Sequence, residues 1–411
     1  MKMLQGNQAK QQTILVGMDG GVESTVAAYL LKKQGLNVVG LGVVFHEYSY
    51  KSLSVWTPKS LENIKKICNQ LEIPFYGTNI NSLFYSRVLE PVVSTRLAAE
   101  QFEPVIAWNK ILIETLIEKA KVVGATGIAT GHKAKVFKNQ KSGVYSLLVP
   151  ADVANDETYG LSRLSQDELS KLIFPLAEIK QNEILKIANL LGITFAKDDI
   201  ENKKRRKKSL FRTDFIEVVE RFSAPTLRKE GRILSYRDGT TICEHDGVHL
   251  YHLNQEGIVG KKGFAVDKTL SVIRINPRQQ DVIVDNIERY HYTHCRLMRF
   301  SHDPAMDLSK PLQCFVQTKS SGAKLPCKLY FKNNRAVVVE FEDEQEGVCP
   351  RGGYLVFYNR RAIGAIVIGS GVVRSSGYFD DEEYRTYPKT RVEEDEFDED
   401  EPKKKKIHLE F

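Results

Sequence analysis

The sequence predicts an α/β fold, a doubly wound parallel sheet, followed by a small central domain and a C-terminal β-barrel. Apolar runs typical of buried strands alternate with helical patterns over about the first 190 residues, and this alternation indicates a parallel sheet. A glycine pair, Gly20-Gly21, separates the first strand from the first helix. From about residue 230 the pattern changes to short β-like runs, which favours barrels.

Hydrophobic spacing defines the elements of the first domain. The run Ile14-Leu15-Val16 predicts a buried strand, and the residues after the glycine pair follow helical spacing. Further strands are predicted over 37–45, 73–76 and 127–130, and helices over 60–71, 81–101 and 109–123. Pro91 should kink or divide the helix predicted over 81–101. Parallel sheets bind ligands at the carboxyl ends of their strands, where the turn within 13–25 and the turn at 130–132 lie.

The second half of the chain is predicted from the same signals. Helices are expected over 165–172, 181–191 and 213–222, with Gly192 ending the second. Short strands are expected over 247–253, 270–275, 281–284, 313–318, 325–331, 336–341, 354–358 and 362–368. The predicted divisions are an α/β domain at 1–160, a helical extension at 161–228, a central β-rich domain at 229–290, a barrel at 291–374 and a charged, disordered tail at 375–411.

Composition indicates a soluble globular protein. Of its 411 residues, 42% are hydrophobic and 27% are charged, which is ordinary for that class. No apolar run approaches the roughly 20 residues of a membrane span, and the polar N-terminus has no secretory signal. Six scattered cysteines without a C-x-x-C pattern fit a reducing compartment and predict no zinc site. We therefore expect a cytoplasmic monomer with no metal site.

Charge is unevenly distributed along the chain. The net charge is +7, but residues 380–411 carry 13 acidic and 7 basic side chains, so the rest of the chain carries +13. A body this basic suits a polyanionic partner, although a merely soluble basic surface would have the same composition. One run of six bases is either a solvated loop or a phosphate contact. It consists of Lys203, Lys204, Arg205, Arg206, Lys207 and Lys208.

The stretch around the glycine pair has the geometry of an anion site. A strand, a glycine-rich turn and a helix aim backbone N–H groups and the positive end of the helix dipole at one point. The stretch lacks both G-x-G-x-x-G and G-x-x-x-x-G-K-[ST]. It resembles the pyrophosphate loop S-G-G-x-D-S of the N-type ATP pyrophosphatases, written here as D-G-G-V-E-S over 19–24.

That resemblance implies ATP as a ligand, with Mg²⁺ as a possible companion. The predicted nucleotide contacts are Gly17, Met18, Asp19, Gly20, Gly21, Val22, Glu23, Ser24, Gly131 and His132. The loop departs from the family pattern at its first position, where Asp19 replaces serine. Like charges about 4 Å apart repel by roughly 1 kcal/mol in water and by more where water is excluded. We therefore expect Asp19 to weaken ATP binding.

Further motifs in the same order resemble the tRNA-specific 2-thiouridylase family over roughly residues 12–372. Residues 124–132 are similar to G-A-D-Y-I-A-T-G-H, 155–159 to K-D-Q-S-Y, 174–176 to F-P-L/V, 244–247 to E-H-x-G and 350–358 to T-P-G-Q-x-x-V-F-Y. The resemblance implies ATP-dependent adenylation of the wobble uridine of tRNA, followed by sulfur transfer from a cysteine persulfide. It also implies that Asp156 and the six-base run contact nucleic acid.

The two cysteine positions of the family hold other residues here. By resemblance they are Trp108 and Lys208, and no cysteine lies between Cys68 and Cys243. A persulfide requires an accessible, ionisable thiol, which neither tryptophan nor lysine supplies. Cys68 could in principle replace them, but a packed core thiol is favoured because it lies on the apolar face of a predicted helix. Cys349, in a predicted turn, should be the more exposed thiol.

Several assignments stay open between a functional and a structural role. His132 either faces a nucleotide or packs the turn. Asp156 either caps a helix or approaches substrate. Trp108 either stacks on a base or fills the space of an active site that is no longer used. Three functions are consistent with the sequence. The first is a tRNA-binding, catalytically degenerate family member; the second is an active thiouridylase that receives sulfur from a partner; the third is an interaction scaffold that uses the acidic tail.

Overall fold

The N-terminal part of the protein is a parallel five-stranded sheet. The computed structural model describes residues 12–44, 58–193, 216–332 and 336–378. The sheet has the order β3-β2-β1-β4-β7. Its strands are β1 (Thr13–Met18), β2 (Asn37–Val44), β3 (Phe75–Asn79), β4 (Gly127–Thr130) and β7 (Leu172–Ile173). A separate hairpin consists of β5 (Lys135–Lys138) and β6 (Tyr145–Leu148).

Helices cover both faces of this sheet. They are α1 (Val22–Lys33), α2 (Pro58–Gln70), α3 (Asn81–Phe84), α4 (Glu90–Leu97), α5 (Pro104–Val123), α6 (Thr158–Leu161), α7 (Gln166–Lys171), α8 (Gln181–Leu190) and α9 (Ile216–Phe222). Alternate residues of β1 face opposite sides of the sheet. Leu15 packs with α5, whereas Ile14 and Val16 pack with α1, α2 and α8. The predicted doubly wound parallel sheet is therefore confirmed.

Two prolines affect the helices of this part in different ways. The backbone is helical without a gap from Asn81 to Leu97, and a π-helical turn at Tyr85–Leu89 lies just before Pro91. The helix expected over 81–101 is therefore interrupted by a change of hydrogen-bond pattern and not by a break in the backbone. α5 begins at Pro104, five residues before the predicted start, because proline fits the first turn of a helix. Gly192 has φ +61° directly after α8, as expected of a helix end.

The central part is a four-stranded sheet of order β10-β11-β8-β9. Its strands are β8 (Gly231–Ser235), β9 (Thr241–His245), β10 (Ser271–Asn276) and β11 (Asp281–Asp285). β8 and β9 escaped prediction because their apolar residues are interrupted by charged and polar ones. The strand predicted over 247–253 is wrong, since a 3₁₀ turn occupies Val248–Leu250. The extended backbone is interrupted there by Gly247, whose φ is +149° and against which the His249 ring packs.

The C-terminal part is a closed six-stranded antiparallel barrel of order β12-β15-β14-β13-β16-β17. Its strands are β12 (His291–His302), β13 (Leu312–Gln317), β14 (Lys324–Lys332), β15 (Ala336–Glu346), β16 (Tyr354–Tyr358) and β17 (Val367–Tyr378). The predicted barrel is confirmed, although β12 was not foreseen. β17 begins at Val367, five residues after the start of the strand expected over 362–368. The predicted domain boundaries themselves stay predictions.

The barrel packs directly onto the N-terminal part. The backbone N–H of Val149 donates to the carbonyl of Ala365 at 2.9 Å, and that of Gly364 donates to the carbonyl of Val149 at 3.0 Å. The buried residues Val356 and Tyr358 of β16 belong to the same apolar cluster as α5. None of the helices within the described ranges is long and apolar enough to cross a membrane.

The E-H-x-G motif at 244–247 places a buried histidine at the end of β9 in the central sheet. His245 is fully buried. Its Nδ1 accepts a hydrogen bond from the Gly247 N–H at 3.0 Å, and its Nε2 lies 3.1 Å from the Gln280 carbonyl oxygen. Nδ1 acts as an acceptor, so Nε2 carries the proton and donates. A second proton would remove the Gly247 bond, and burial also lowers the pKa of His245 below its ordinary value.

This arrangement predicts an acid-sensitive central sheet. The pKa of His245 is lowered from 6.5 on folding, so its contribution to stability is complete above 6.5 and is lost as pH falls below that value. We expect the urea midpoint to fall between about pH 7.5 and 5.5. His245→Asn keeps an acceptor for Gly247 but does not titrate, so its midpoint should be lower at pH 7.5 and less dependent on pH. An equal pH dependence in the two proteins would contradict this assignment.

Candidate functional site at the carboxyl ends of β1 and β4

Two turns meet above the parallel sheet. β1 and β4 are direct neighbours, with Gly17 opposite Thr130. A Cβ at Gly131 would lie 2.6 Å from the backbone nitrogen of Ser24 and 2.7 Å from the carbonyl carbon of Glu23. Only glycine permits this approach, because the contacting atoms are backbone and belong to the first turn of α1. The structure thus brings together the two turns that the sequence singled out.

The glycine loop is closed internally by Asp19. The Gly21 N–H donates to Asp19 Oδ1 at 2.9 Å, and the Ser24 hydroxyl donates to the same carboxylate oxygen. The Asp19 N–H in turn lies 3.3 Å from Ser24 Oγ. These are the donors that a loop of this kind would offer to a phosphate. In this arrangement one carboxylate oxygen of the chain accepts from two of the donors of the loop, the Gly21 N–H and the Ser24 hydroxyl.

His132 is held between β4 and α5. Its Nδ1 lies 2.9 Å from Thr130 Oγ1, and its Nε2 lies 3.2 Å from Asn109 Oδ1. Since the amide oxygen of Asn109 can only accept, Nε2 carries a proton and donates. The Asn109 amide donates its own proton to the Gly160 carbonyl at 3.0 Å, which fixes the amide orientation. The structure thus gives His132 a turn-packing role, and its predicted contact with a nucleotide stays a prediction.

Trp108 lies in the core beneath these residues. It is 7% exposed, and its ring meets Phe84 edge to face with a centroid distance of 6.0 Å. It sits in the second turn of α5, next to Asn109. A tryptophan at this depth has little surface to offer a nucleic-acid base. Its burial therefore agrees with the space-filling alternative.

A buried lysine that sequence reasoning missed connects the two turns to α8. Lys133 Nζ lies 2.6 Å from Asp152 Oδ2, and its side chain is 3% exposed. It also donates to the side-chain oxygen of Gln181, whose amide nitrogen donates to Glu23 Oε1 at 3.0 Å. Burial alone would raise the pKa of Asp152, but hydrogen bonds and the charge of Lys133 outweigh burial and lower it.

Asp156 contacts the barrel. Its carboxylate accepts from the Thr158 N–H at 2.9 Å and from Lys324 Nζ at 2.7 Å. Lys324 lies 4.0 Å from the centroid of the Tyr358 ring, and the Tyr358 hydroxyl donates to Gln317 Oε1 at 2.9 Å. The bond from the Thr158 N–H, at the first residue of α6, agrees with the helix-capping alternative. The bond from Lys324 adds an anchoring role that the sequence did not suggest. A nucleic-acid contact at Asp156 remains a prediction.

The thiols of the described residues are not placed for chemistry at this site. Cys68 is buried on α2, where burial raises the pKa of its thiol to about 12. The expectation that Cys349 is exposed is wrong: it is 6% exposed, because its side chain packs in the barrel interior against Cys295 and Tyr292. The six bases at 203–208, with Lys208 among them, lie outside the described residues, as does most of the predicted tail.

The described ranges contain no group of three or more histidine, cysteine, aspartate or glutamate side chains arranged to hold a metal ion.

Comparison with known proteins defines the class of this chain. Residues 12–203 match the family described as tRNA methyl transferase HUP domain, and residues 293–373 match the aminomethyltransferase beta-barrel domain. These ranges coincide with the parallel sheet and the closed barrel. The protein is thus a HUP-domain protein with a C-terminal barrel.

Curated relatives narrow this class further. The chain is 29% identical over 372 residues to the tRNA-specific 2-thiouridylase MnmA of Clostridium botulinum, covering 89% of this chain and 98% of the relative. It is 28% identical to MnmA of Clostridium perfringens and 27% identical to that of Clostridium beijerinckii, each over 89% of this chain and 99% of the relative. The chain belongs to the MnmA/tRNA methyltransferase HUP family.

The Lys324–Asp156 pair can be tested by a double-mutant cycle. The side chains are 12% and 10% exposed, so Lys324→Met leaves a buried carboxylate without its cation and should cost about 3 kcal/mol of unfolding free energy. Asp156→Asn added to Lys324→Met should restore part of that loss. The free energies would be measured by urea unfolding.

Lys328→Met is the matched control, because Lys328 lies on the same strand over the Tyr330 ring. It should change stability by less than about 0.5 kcal/mol. Additive effects of the two substitutions at 324 and 156 would show that the pair does not anchor the barrel.

Proposed function

We propose that this protein is a tRNA-binding member of the MnmA family that does not thiolate tRNA by a cysteine relay. The observation that carries the proposal is the Asp19 carboxylate, which accepts hydrogen bonds from the Gly21 N–H and the Ser24 hydroxyl inside the glycine loop. A phosphate bound in this loop would compete with the Asp19 carboxylate for these donors. The sulfur half of the family reaction requires thiols that are missing from the corresponding positions.

The cysteines of the chain support loss of an internal sulfur relay. No cysteine lies between Cys68 and Cys243 in the sequence. Cys68 is 0% exposed, and burial raises the pKa of its thiol to about 12, so the nucleophilic thiolate is scarce near neutral pH. Trp108, which stands at one family cysteine position, fills the core against Phe84. These features support loss of the internal relay.

The charge of the chain and the similarity to its relatives support binding of tRNA. The curated relatives are named for their action on tRNA. Outside residues 380–411 the chain keeps a charge of +13, and it keeps six consecutive bases at 203–208. Clusters of lysine and arginine bind the phosphate backbone and make affinity depend steeply on salt. Retention of these charges supports binding of tRNA and disfavours a pure protein scaffold.

The alternative enzyme would receive sulfur directly from a partner protein at an ATP-activated base. The glycine loop and the Gly131-His132 turn support it, because both resemble motifs of the family and lie close together at the carboxyl ends of β1 and β4. It would still require ATP to displace the Asp19 carboxylate from its donors.

Calorimetry of ATP binding tests the proposal that Asp19 opposes nucleotide binding. The unmodified protein should show no binding at micromolar concentrations, because the Asp19 charge repels the triphosphate and holds its donors. Asp19→Ser should tighten binding by at least about tenfold, the equivalent of about 1.4 kcal/mol. Asp167→Ser is the control, since Asp167 forms an exposed ion pair with Lys171 on α7. Tight ATP binding by the unmodified protein would contradict this part of the proposal.

Gel-shift titration tests the proposal that the six-base run binds tRNA. Neutralising the six bases at 203–208 should weaken binding to different tRNAs alike, because phosphate contacts carry little sequence information. Each lost contact should also reduce the slope of log affinity against log salt by about one unit. Neutralising Lys403, Lys404, Lys405 and Lys406 in the acidic tail is the control and should have a smaller effect. Unchanged affinity after the first replacement would count against the assigned interface.

A further inference from the structure

The barrel interior concentrates thiols. Four of the six cysteines, Cys295, Cys314, Cys327 and Cys349, are buried in one apolar cluster with side chains from every strand of the barrel. Two of them stand directly opposite each other on β13 and β14. The Sγ atoms of Cys314 and Cys327 are 3.5 Å apart. All four thiols lie apart from the site above the parallel sheet.

The geometry of this pair suits a covalent bond. Directly opposed residues of an antiparallel pair have Cβ atoms about 4.5–5.5 Å apart, and a disulfide needs about 3.5–4.5 Å. The strands therefore need only a small local approach. We propose that Cys314 and Cys327 form an oxidisable dithiol site, which a hydroperoxide converts reversibly into a cross-strand disulfide.

The reaction balances with the hydroperoxide as the two-electron oxidant. One thiolate attacks the terminal peroxide oxygen, the O–O bond breaks, and an alcohol or water leaves while the sulfur becomes a sulfenic acid. The second thiol then attacks that sulfur, forms the S–S bond and releases water. Two thiols and one hydroperoxide thus give one disulfide, one alcohol or water, and one water. A dithiol reductant reverses the change.

Burial controls the rate of this oxidation. Cys314 is 4% exposed and Cys327 is 0% exposed. The hydrogen bond with Cys314, followed by burial, raises the pKa of the Cys327 thiol, so the closed barrel holds few thiolates. Oxidation requires opening of the β13–β14 hairpin, and it should accelerate at alkaline pH and in low concentrations of urea. In a reducing compartment the dithiol is the resting form.

The disulfide would tether a hairpin that also contacts the N-terminal part. Gln317, three residues after Cys314, accepts a hydrogen bond from the Tyr358 hydroxyl. Lys324, three residues before Cys327, binds the Asp156 carboxylate. A bond between the two cysteines would therefore tether β14, which contacts the N-terminal part through Lys324, to β13, which contacts β16 of the barrel through Gln317.

The second thiol pair of the barrel provides an internal comparison. Cys295 and Cys349 are hydrogen-bonded to each other. Cys295 on β12 has Val339 and Ser376 as its strand partners, whereas Cys349 lies in the turn after β15. No strand register holds these two sulfurs opposite each other, so they should oxidise more slowly than Cys314 and Cys327.

Peptide mapping by mass spectrometry tests the proposal on the full chain. Reduced protein is treated with hydrogen peroxide in low urea, alkylated and digested without reductant. We expect a peptide pair linked through Cys314 and Cys327, loss of two alkylation sites per chain, and a rise of about 5 °C in the unfolding midpoint that dithiothreitol reverses. Cys314→Ala and Cys327→Ala should each abolish the linked pair and the rise.

Cys295→Ala is the matched control, because it removes a buried barrel thiol outside the proposed pair, and it should leave both readouts intact. Circular dichroism would establish that each variant is folded before oxidation. If the alanine variants at 314 or 327 do not fold, the pair of cysteines that is linked in the oxidised unmodified protein decides whether the proposal holds. Three results would each overturn the proposal. They are a linkage of Cys295 to Cys349 in preference to Cys314 and Cys327, formation of sulfenic or sulfinic acid without a linkage, and no oxidation at all.

Discussion

The close approach of Gly131 to the first turn of α1 is the constraint on which the site depends. The position where a Cβ would stand is 2.6 Å from a backbone nitrogen, so any other residue would push the β4 turn away from the glycine loop. Because the turns stay together, His132 reaches Asn109 on α5, and Lys133 enters the network that leads through Gln181 to Glu23. The two turns that the sequence singled out are thus held together, and Asp19 accepts hydrogen bonds from two donors of the glycine loop.

Two buried ion pairs hold one short segment of chain between the sheet and the barrel. Asp152 pairs with Lys133 on the sheet side, and Asp156 pairs with Lys324 on the barrel side. Buried pairs contribute little net stability, but loss of one partner is costly because a charge is left unsolvated. The segment that resembles K-D-Q-S-Y is therefore fixed from both directions. Its conformation depends on the barrel as well as on the sheet.

The sequence predicted elements whose spacing is local. β1, α1, β4 and the barrel strands β13 to β16 follow from apolar runs, turns and glycine positions. β9 and β12 were missed because charged and polar residues interrupt their apolar pattern. Lys324 and Asp156 are 168 residues apart, and no local pattern indicates which cation reaches a given carboxylate. Cys349 was misplaced because position in a turn predicts exposure, whereas the barrel covers this turn.

Mass spectrometry of tRNA tests most directly the proposal that this protein does not thiolate tRNA by a cysteine relay. The unmodified protein would be incubated with tRNA, ATP and a cysteine-desulfurase relay, with Clostridium perfringens MnmA as the positive control. Adenylation alone cannot thiolate, because a nucleophilic sulfur must be held close to the activated carbon. We expect digested tRNA to contain no 2-thiouridine. A clear, ATP-dependent 2-thiouridine peak would contradict this expectation and favour sulfur delivery by a partner.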